Sequence, residues 1–164
     1  MLSLRKIIME EFNINFGNLK VDQLGFVYKD IEKQAKIMES LYGFSEFIIG
    51  DWETYTMKFR GKISEPTFRM AFSRLGNTQV ELIQWKSGDC PYKEFLDEGK
   101  EGFHHIACYV EDTDLYIKEF EKMGIGILQE GEVLFNRITY MDTQETFGTI
   151  IELLEKIKRK KKKK

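Results

Sequence analysis

The chain of 164 residues carries a formal net charge of −2, and 42% of its residues are hydrophobic. This length suits one domain, and the aromatic residues can fill a core without disulfides or structural zinc, while the slightly acidic balance argues against nucleic acid as a partner. No apolar run approaches the roughly 20 residues of a membrane span, and the start of the chain resembles no secretion signal. We therefore predict a cytoplasmic protein without a membrane partner, in which Cys90 and Cys108 stay reduced and Cys108 is buried.

The first half of the chain predicts one βαβββ module. Residues 1–19 give mixed signals and are taken as an N-terminal extension. Residues 20–28 read as a strand, and Asp30 is the expected N-cap of an amphipathic helix that Gly43 ends. Further strands are expected at 44–49, 54–59, 68–74 and 79–85, with a loop at 61–67 and a tight turn at Gly76-Asn77. The first module then spans residues 20–86.

The second half repeats this plan. Residues 87–101 form a connecting helix and loop, with Pro91 in the first helical turn. In the second module, residues 102–155, a helix capped by Asp112 or Thr113 and ended by Gly124 follows the first strand. The strands are expected at 105–110, 125–130, 136–142 and 150–155, with a turn at 147–149. Residues 156–164 are a run of positive charge, for which we predict a disordered tail.

Superposing the two modules places polar residues at matching positions. Gln23 stands seven residues before Asp30, and His105 stands seven before Asp112. At the other end, residues 78–82 match residues 149–153, so that Glu81 corresponds to Glu152. Each module therefore supplies one side chain able to bind a metal early in its first strand and one glutamate in its last strand.

The two glutamates lie between apolar neighbours and point to the opposite face of their strands. If that face is the inside of a curved sheet, two carboxylates are buried, and neither strand offers a lysine or arginine to pair with them. A divalent ion held by Gln23, Glu81, His105 and Glu152 would balance their charge, and three oxygens with one nitrogen suit Co, Ni, Zn, Mn or Fe. The alternative is that these are ordinary strand residues facing the solvent.

His104 and His105 are adjacent, and adjacent strand residues point to opposite faces. Only one of them is then expected to enter the site. His105 keeps the register with Gln23, so His104 is expected to pack or hydrogen-bond elsewhere.

Three segments resemble the vicinal oxygen chelate superfamily, which contains glyoxalase I and methylmalonyl-CoA epimerase. They are Glu101-Gly102-Phe103-His104-His105-Ile106-Ala107, Gly76-Asn77-Thr78-Gln79-Val80-Glu81-Leu82 and the closing Phe147-Gly148-Thr149-Ile150-Ile151-Glu152-Leu153. The resemblance covers about residues 20–155. It implies an α+β fold in which two tandem βαβββ modules form a curled mixed sheet around a central metal, with ligands at Gln23, Glu81, His105 and Glu152.

The chain departs from the epimerase pattern at two places. Epimerases of this family usually carry His where this chain has Gln23, and Gln there is similar to some glyoxalase I enzymes. The region of residues 68–72 has Arg69 and no carboxylate where a bacterial epimerase has a second acid, so Glu81 would have to serve as the second base.

The resemblance implies an isomerase or lyase that removes a proton next to a carbonyl through a metal-stabilised enolate. Glu152 is the expected base and Glu81 its counterpart. Substrates of both branches are thioesters or thiohemiacetals of CoA or glutathione, and the resemblance in residues 99–107 favours CoA. The basic residues near the predicted strands either meet such anionic groups or are surface charges; they are Arg69, Arg74, Lys86 and Arg137. A homodimer is expected.

Two other functions stay open at this level. One is a metal-free binding or resistance protein that holds an apolar ligand with its aromatic residues, Trp52, Tyr55, Phe59 and Trp85. The other is a structural protein with an idle site, which would exchange no proton on a substrate.

Overall fold

The structure, a computed structural model, describes residues 19–52 and 55–157. The predicted N-terminal extension up to residue 18 and the predicted tail from residue 158 lie outside the described residues. Within the described ranges, no helix is long and apolar enough to cross a membrane.

The described residues form ten strands and four helices in the chain order expected for two related modules. The first half contains β1 (Gln23–Val27), α1 (Ile31–Tyr42), β2 (Ile48–Trp52), β3 (Met57–Phe59), β4 (Lys62–Ser64), β5 (Thr67–Leu75) and β6 (Thr78–Ser87). The second half contains α2 (Pro91–Asp97), β7 (Gly102–Val110), α3 (Thr113–Lys122), β8 (Ile127–Val133), β9 (Asn136–Met141), α4 (Gln144–Phe147) and β10 (Ile150–Lys156).

All ten strands belong to one mixed, curled sheet, in the order β2-β5-β6-β1-β7-β10-β9-β8-β3-β4. The first strand of each half lies at its centre, and β1 pairs antiparallel with β7. Each of these strands also pairs in parallel with the last strand of its own half, β1 with β6 and β7 with β10. The predicted curled mixed sheet is thus confirmed, and the two halves join within a single chain.

A hairpin from the first half of the chain adds two strands to the edge of the second half of the sheet. Strands β3 and β4 pair with each other, and β3 pairs with β8, where Met57 stands opposite Gly131. A Cβ at Gly131 would collide with the sulfur of Met57, so this glycine lets the strands approach. The loop predicted at residues 61–67 was therefore partly wrong, because Lys62–Ser64 folds back as a strand on Met57–Phe59 in a tight hairpin, which β8 joins to the sheet through β3.

Helix ends follow the local chemistry that the sequence indicates. The Asp30 side chain accepts a hydrogen bond from the Lys33 amide, and Gly43 adopts a left-handed conformation at the end of α1 with φ 68°. Asp112 caps α3 in the same way through the amides of Asp114 and Leu115. The strand predicted at 44–49 lies instead at Ile48–Trp52, and the short helix α4 precedes the predicted turn at 147–149.

Apolar residues pack on both faces of the sheet. Helices α1 and α3 cover its outer face, where Ile31 and Phe120 are fully buried. The inner face holds a cluster that joins both halves and α2, and it includes Ile83, Ala107 and Tyr140. Cys90 and Cys108 are buried free thiols, which confirms the prediction for Cys108. Because the helices α1 and α3 cover the outer face, the concave inner face is the one that remains open for a site.

Candidate metal centre

Gly25 lies at the centre of the sheet and makes room for a histidine. On β1 it is the Cα partner of Glu81 on β6 and of His105 on β7. A Cβ at this position would overlap the ring atoms of His105, so the imidazole occupies the space that any other residue would fill. A glycine inside a strand pattern often marks such a close approach. Gly25 therefore permits the imidazole of His105 to occupy this position.

His105 stands between two carboxylates from corresponding strands. Its Nε2 lies 3.5 Å from Oε2 of Glu81 and 3.3 Å from Oε2 of Glu152. All three residues are buried, with exposed fractions of 0%, 6% and 4% for His105, Glu81 and Glu152. The structure thus brings together three of the four side chains that the sequence analysis selected.

Burial and mutual charge shift the pKa values of this group. Burial by itself would lower the pKa of His105, but the neighbouring carboxylates of Glu152 and Glu81 outweigh it and raise the pKa to about 9. Burial raises the pKa of Glu81, against the opposing influence of His105. At neutral pH the imidazole is therefore protonated and holds the two acids together.

Two atoms of the centre have unmet bonding capacity. Nε2 of His105 and Oε2 of Glu152 are fully buried and have no hydrogen-bond partner among the described residues, since the short contact between them lacks hydrogen-bond geometry. The part of the chain that the structure describes contains no ready-made cluster of three His, Cys, Asp or Glu arranged for a metal. The donor types nevertheless fit a divalent cation, which would replace the imidazole proton as the charge between the two acids.

Gln23 is buried beside this group and lines the same cavity as Glu81 and Glu152. Its Nε2 donates a hydrogen bond of 3.1 Å to Oε1 of Gln79. Because the amide nitrogen is engaged, the amide oxygen is the atom that Gln23 can offer to a cation. Gln79, which the sequence analysis did not select, thus orients the fourth predicted ligand.

The expectation that His104 points to the opposite face was wrong, because a β-bulge interrupts the alternation of faces, although His104 packs against Tyr92 and Phe95 as expected of a residue outside the ligand set. Gly25 pairs with His105 and Phe26 with Phe103, so His104 is the extra residue on β7. Its ring turns to the same side as its neighbour, and Nδ1 of His104 lies 3.0 Å from Nδ1 of His105. Burial and the adjacent charge of His105 lower the pKa of His104 well below its usual range. His104 is therefore a neutral hydrogen-bond partner of His105.

The protonation states of the two histidines set the direction of the hydrogen bond between them. The charged imidazole of His105 carries hydrogen on both nitrogens, whereas the neutral ring of His104, whose pKa is lowered, carries it on one. Nδ1–H of His105 therefore donates to Nδ1 of His104. Once the charged proton on Nε2 leaves, the lone pair of His105 faces the two glutamates, which is the orientation that a metal ligand needs.

A cavity of about 430 Å³ opens above the centre. Its floor contains Tyr92 and Tyr140, whose hydroxyls are 2.6 Å apart and whose pKa values burial and the nearby glutamates raise well above normal. These tyrosines stay neutral at physiological pH. They are not apparent from the sequence, because they come from α2 and β9, which meet only in the folded protein. The surrounding wall is largely apolar and aromatic, with Trp52, Tyr55, Phe68, Met70 and Phe72 among its members.

The basic residues considered for anionic substrate groups lie away from the cavity wall. Arg69 pairs with Glu32 on α1, and Arg137 pairs with Asp114 on α3. Arg74 donates to the carbonyl of Asn77 in the turn between β5 and β6, and Lys86 is exposed near the end of β6. These residues are surface charges in this structure, as the alternative interpretation had it.

Comparison with known proteins adds independent information. The sequence model of the Glyoxalase/Bleomycin resistance protein/Dioxygenase superfamily matches residues 22–140. The uncharacterized protein YqjC of Bacillus subtilis is 22% identical over 83% of this chain and 91% of its own length. Mitochondrial methylmalonyl-CoA epimerase of Homo sapiens is 25% identical over 85% of this chain and 74% of that protein.

A solved structure shares the fold. A variant of Streptomyces coelicolor methylmalonyl-CoA epimerase in complex with 2-nitronate-propionyl-CoA superposes with a TM-score of 0.60 and 20% identity. The match covers 84% of this chain and 94% of the epimerase. At this identity the likeness establishes the architecture alone.

Proposed function

Because the chain belongs to the glyoxalase/bleomycin resistance/dioxygenase superfamily, also called the vicinal oxygen chelate superfamily, we propose that it is a divalent-metal-dependent enzyme that moves a proton on the carbon next to a carbonyl. The substrate is a CoA thioester, and the reaction is an epimerisation like that of methylmalonyl-CoA epimerase. Relatives with that name, at low identity, support this choice.

One observation supports the proposal most strongly. Glu81 and Glu152 come from the last strands of the two halves and both reach Nε2 of the buried His105 at the base of one cavity. Buried carboxylates beside a cavity are suited to proton transfer because they are shielded from water, and burial raises the pKa of Glu81. Two such groups related by the internal repeat can address a substrate from different sides.

In the proposed mechanism, Gln23, Glu81, His105 and Glu152 would hold the metal, which when bound would stabilise negative charge on the carbonyl oxygen. Glu152 takes the proton from the α-carbon, and the C–H electron pair moves into the enolate. Glu81, whose raised pKa lets one carboxyl oxygen carry a proton while the other would stay free for the metal, gives that proton to the opposite face of the enolate and inverts the carbon. Glu152 then passes its proton to water and Glu81 takes one up, which restores the starting state.

Two alternatives rest on specific side chains. Gln23 and its bond to Gln79 favour a lactoylglutathione lyase-like reaction, the glyoxalase I chemistry, on a glutathione thiohemiacetal. Trp52 and Tyr55 in the cavity wall favour a metal-free binding or resistance protein, although Phe59 and Trp85 lie in the apolar core rather than in the wall. Elemental analysis distinguishes the binding protein, which holds no stoichiometric metal.

The decisive test is deuterium exchange at the α-carbon. Protein stripped of metal and then loaded with Co²⁺, Ni²⁺, Zn²⁺ or Mn²⁺ is incubated in D₂O with α-branched CoA thioesters, methylmalonyl-CoA among them, and with the glutathione adduct of methylglyoxal. We expect metal-dependent exchange, followed by NMR, with at least one CoA thioester. Exchange with the glutathione adduct alone would favour the lyase, and exchange with none of the compounds would overturn an enzymatic function. The homodimer and the cytoplasmic location remain predictions.

A further inference from the structure

Gln129 on β8 is a buried polar residue that the proposed mechanism does not use. It stands opposite Tyr140 on β9, and Tyr140 in turn stands opposite Glu152 on β10. The three side chains line the same cavity. Gln129 therefore lies two strand spacings from the proposed base, a backbone separation of roughly 10 Å.

A β-bulge turns Gln129 into the cavity. Ile127 pairs with Met141 and Gln129 with Tyr140, which makes Leu128 the extra residue of β8. Leu128 packs in the inner cluster, and Gln129 beside it also faces inward. The same device places His104 beside His105 on β7. Bulges are common next to active sites because they redirect a side chain. The inward position of Gln129 is therefore typical of a residue that contacts a ligand.

The amide oxygen of Gln129 lacks a partner. The residue is 1% exposed, and its Oε1 has no hydrogen-bond partner among the described residues. A buried acceptor left unpaired is destabilising, and a ligand with a suitable donor would remove that loss. Because Oε1 is an acceptor, the group that satisfies it must carry a hydrogen.

The residues around Gln129 indicate the polarity and charge of the part of the ligand next to this donor. On one side it is flanked by Phe59, its partner on β3, and on the other by the Tyr140 ring. Trp52 and Phe68 belong to the same apolar wall. Among the described residues, the wall of this cavity includes no lysine or arginine that would neutralise a second carboxylate on the substrate.

We infer that the acyl arm of the substrate is uncharged and apolar, and that it carries a hydroxyl or amide N–H that donates to Oε1 of Gln129. This inference rests on the proposed function and narrows it to thioesters whose arm differs from the carboxylate of methylmalonyl-CoA. An aromatic ring with a hydroxyl group at its far end has this chemistry: the ring packs against the wall while the hydroxyl meets the amide.

Three CoA thioesters that differ only in the arm test the inference: 2-(4-hydroxyphenyl)propanoyl-CoA, 2-phenylpropanoyl-CoA and methylmalonyl-CoA. Exchange of the α-proton in D₂O is measured with the metal-loaded protein and corrected for exchange without protein. We expect kcat/KM for the hydroxyl compound to exceed that for the phenyl compound about tenfold, the effect of one hydrogen bond, and methylmalonyl-CoA to be the poorest of the three.

Gln129→Met removes the acceptor at similar volume, and the ratio between hydroxyl and phenyl compounds should fall to about one. Gln34→Met, the same substitution on α1 away from the cavity, should keep the wild-type ratio. A wild-type ratio near one, a ratio that survives in Gln129→Met, or faster exchange with methylmalonyl-CoA would overturn the inference and leave the proposed function intact.

If none of the thioesters exchanges, the proposed function fails, and binding then decides the inference. Calorimetric titration of the two aryl thioesters should still give about tenfold tighter binding of the hydroxyl compound by wild type and equal affinities for Gln129→Met. Equal affinities for wild type would overturn the inference as well.

Discussion

The imidazole of His105 occupies the space that a side chain at Gly25 would need. The two residues are Cα partners on the central strands of the sheet, so neither backbone can withdraw without disturbing the pairing of the two halves. His105, the predicted metal ligand, can therefore hold this position only because Gly25 on the neighbouring strand has no Cβ.

Gly25→Ala should abolish metal binding while leaving a folded protein. The added methyl forces the ring of His105 away from Glu81 and Glu152, and overpacking of this kind costs about 1–3 kcal/mol of stability. Metal content after dialysis and circular dichroism measure the two effects. Gly126→Ala is the control, because a Cβ there meets nothing within 4 Å. A Gly25→Ala protein that retains metal like the wild type would contradict this account of the site.

Metal affinity should rise with pH. The carboxylates around His105 raise its pKa to about 9, so the imidazole carries a proton at neutral pH that the cation must displace. Below that pKa, the apparent affinity should increase about tenfold per pH unit, and it should level off above it. Competition with a chelator of known affinity, or the proton release seen by calorimetry in different buffers, gives the slope. A pH-independent affinity between about pH 6.5 and 8.5 would show that the proton and the metal do not compete for His105.

Glu152→Gln should separate proton transfer from metal binding. The amide keeps a ligand oxygen but cannot take a proton, so epimerisation should fall by about 10²- to 10⁴-fold, the usual contribution of a general base. Circular dichroism of the substrate follows the inversion, and elemental analysis follows the metal. Glu81→Gln should have a comparable effect on inversion. Full turnover by metal-loaded Glu152→Gln would rule out its assignment as the base.

His104→Phe should weaken metal binding without removing a ligand. The phenyl ring fills the same aromatic site against Tyr92 and Phe95 but leaves Nδ1 of His105 without its acceptor. Loss of such an outer hydrogen bond typically lowers metal affinity about 10- to 100-fold. His104→Gln, which can still accept, should recover part of the affinity. The ¹⁵N shifts of His105 report its tautomer directly. Unchanged affinity and tautomer in His104→Phe would show that His104 only fills space.

Much of the architecture was predictable because it is encoded locally or in the repeat. The caps at Asp30, Gly43 and Asp112 depend on residues within one turn of each helix. The matched glutamates 81 and 152 follow from strand alternation once the halves are aligned. The division of the chain into extension, modules, linker and tail stays a prediction, since parts of it lie outside the described residues.

The features that sequence reasoning missed depend on pairings between distant strands. His104 and Gln129 face inward because of bulges, and a bulge is defined by its partner strand. The hairpin of β3 and β4 joins the sheet only through the pairing of β3 with the distant strand β8. One signal was available: Gly25 interrupts an apolar strand, and such a glycine can indicate the close approach of another group.

The hairpin at residues 57–64 also makes the two repeats depend on each other. The hairpin belongs to the first half of the chain but pairs with β8, the edge strand of the second half. Its residues Met57 and Phe59 lie in the inner cluster that both halves share. If the chain were cut between β6 and β7, each fragment would expose strand edges whose hydrogen-bond partners lie on the other fragment. Produced separately and mixed, the fragments should reassociate by complementation, because each half of the sheet is completed by strands of the other.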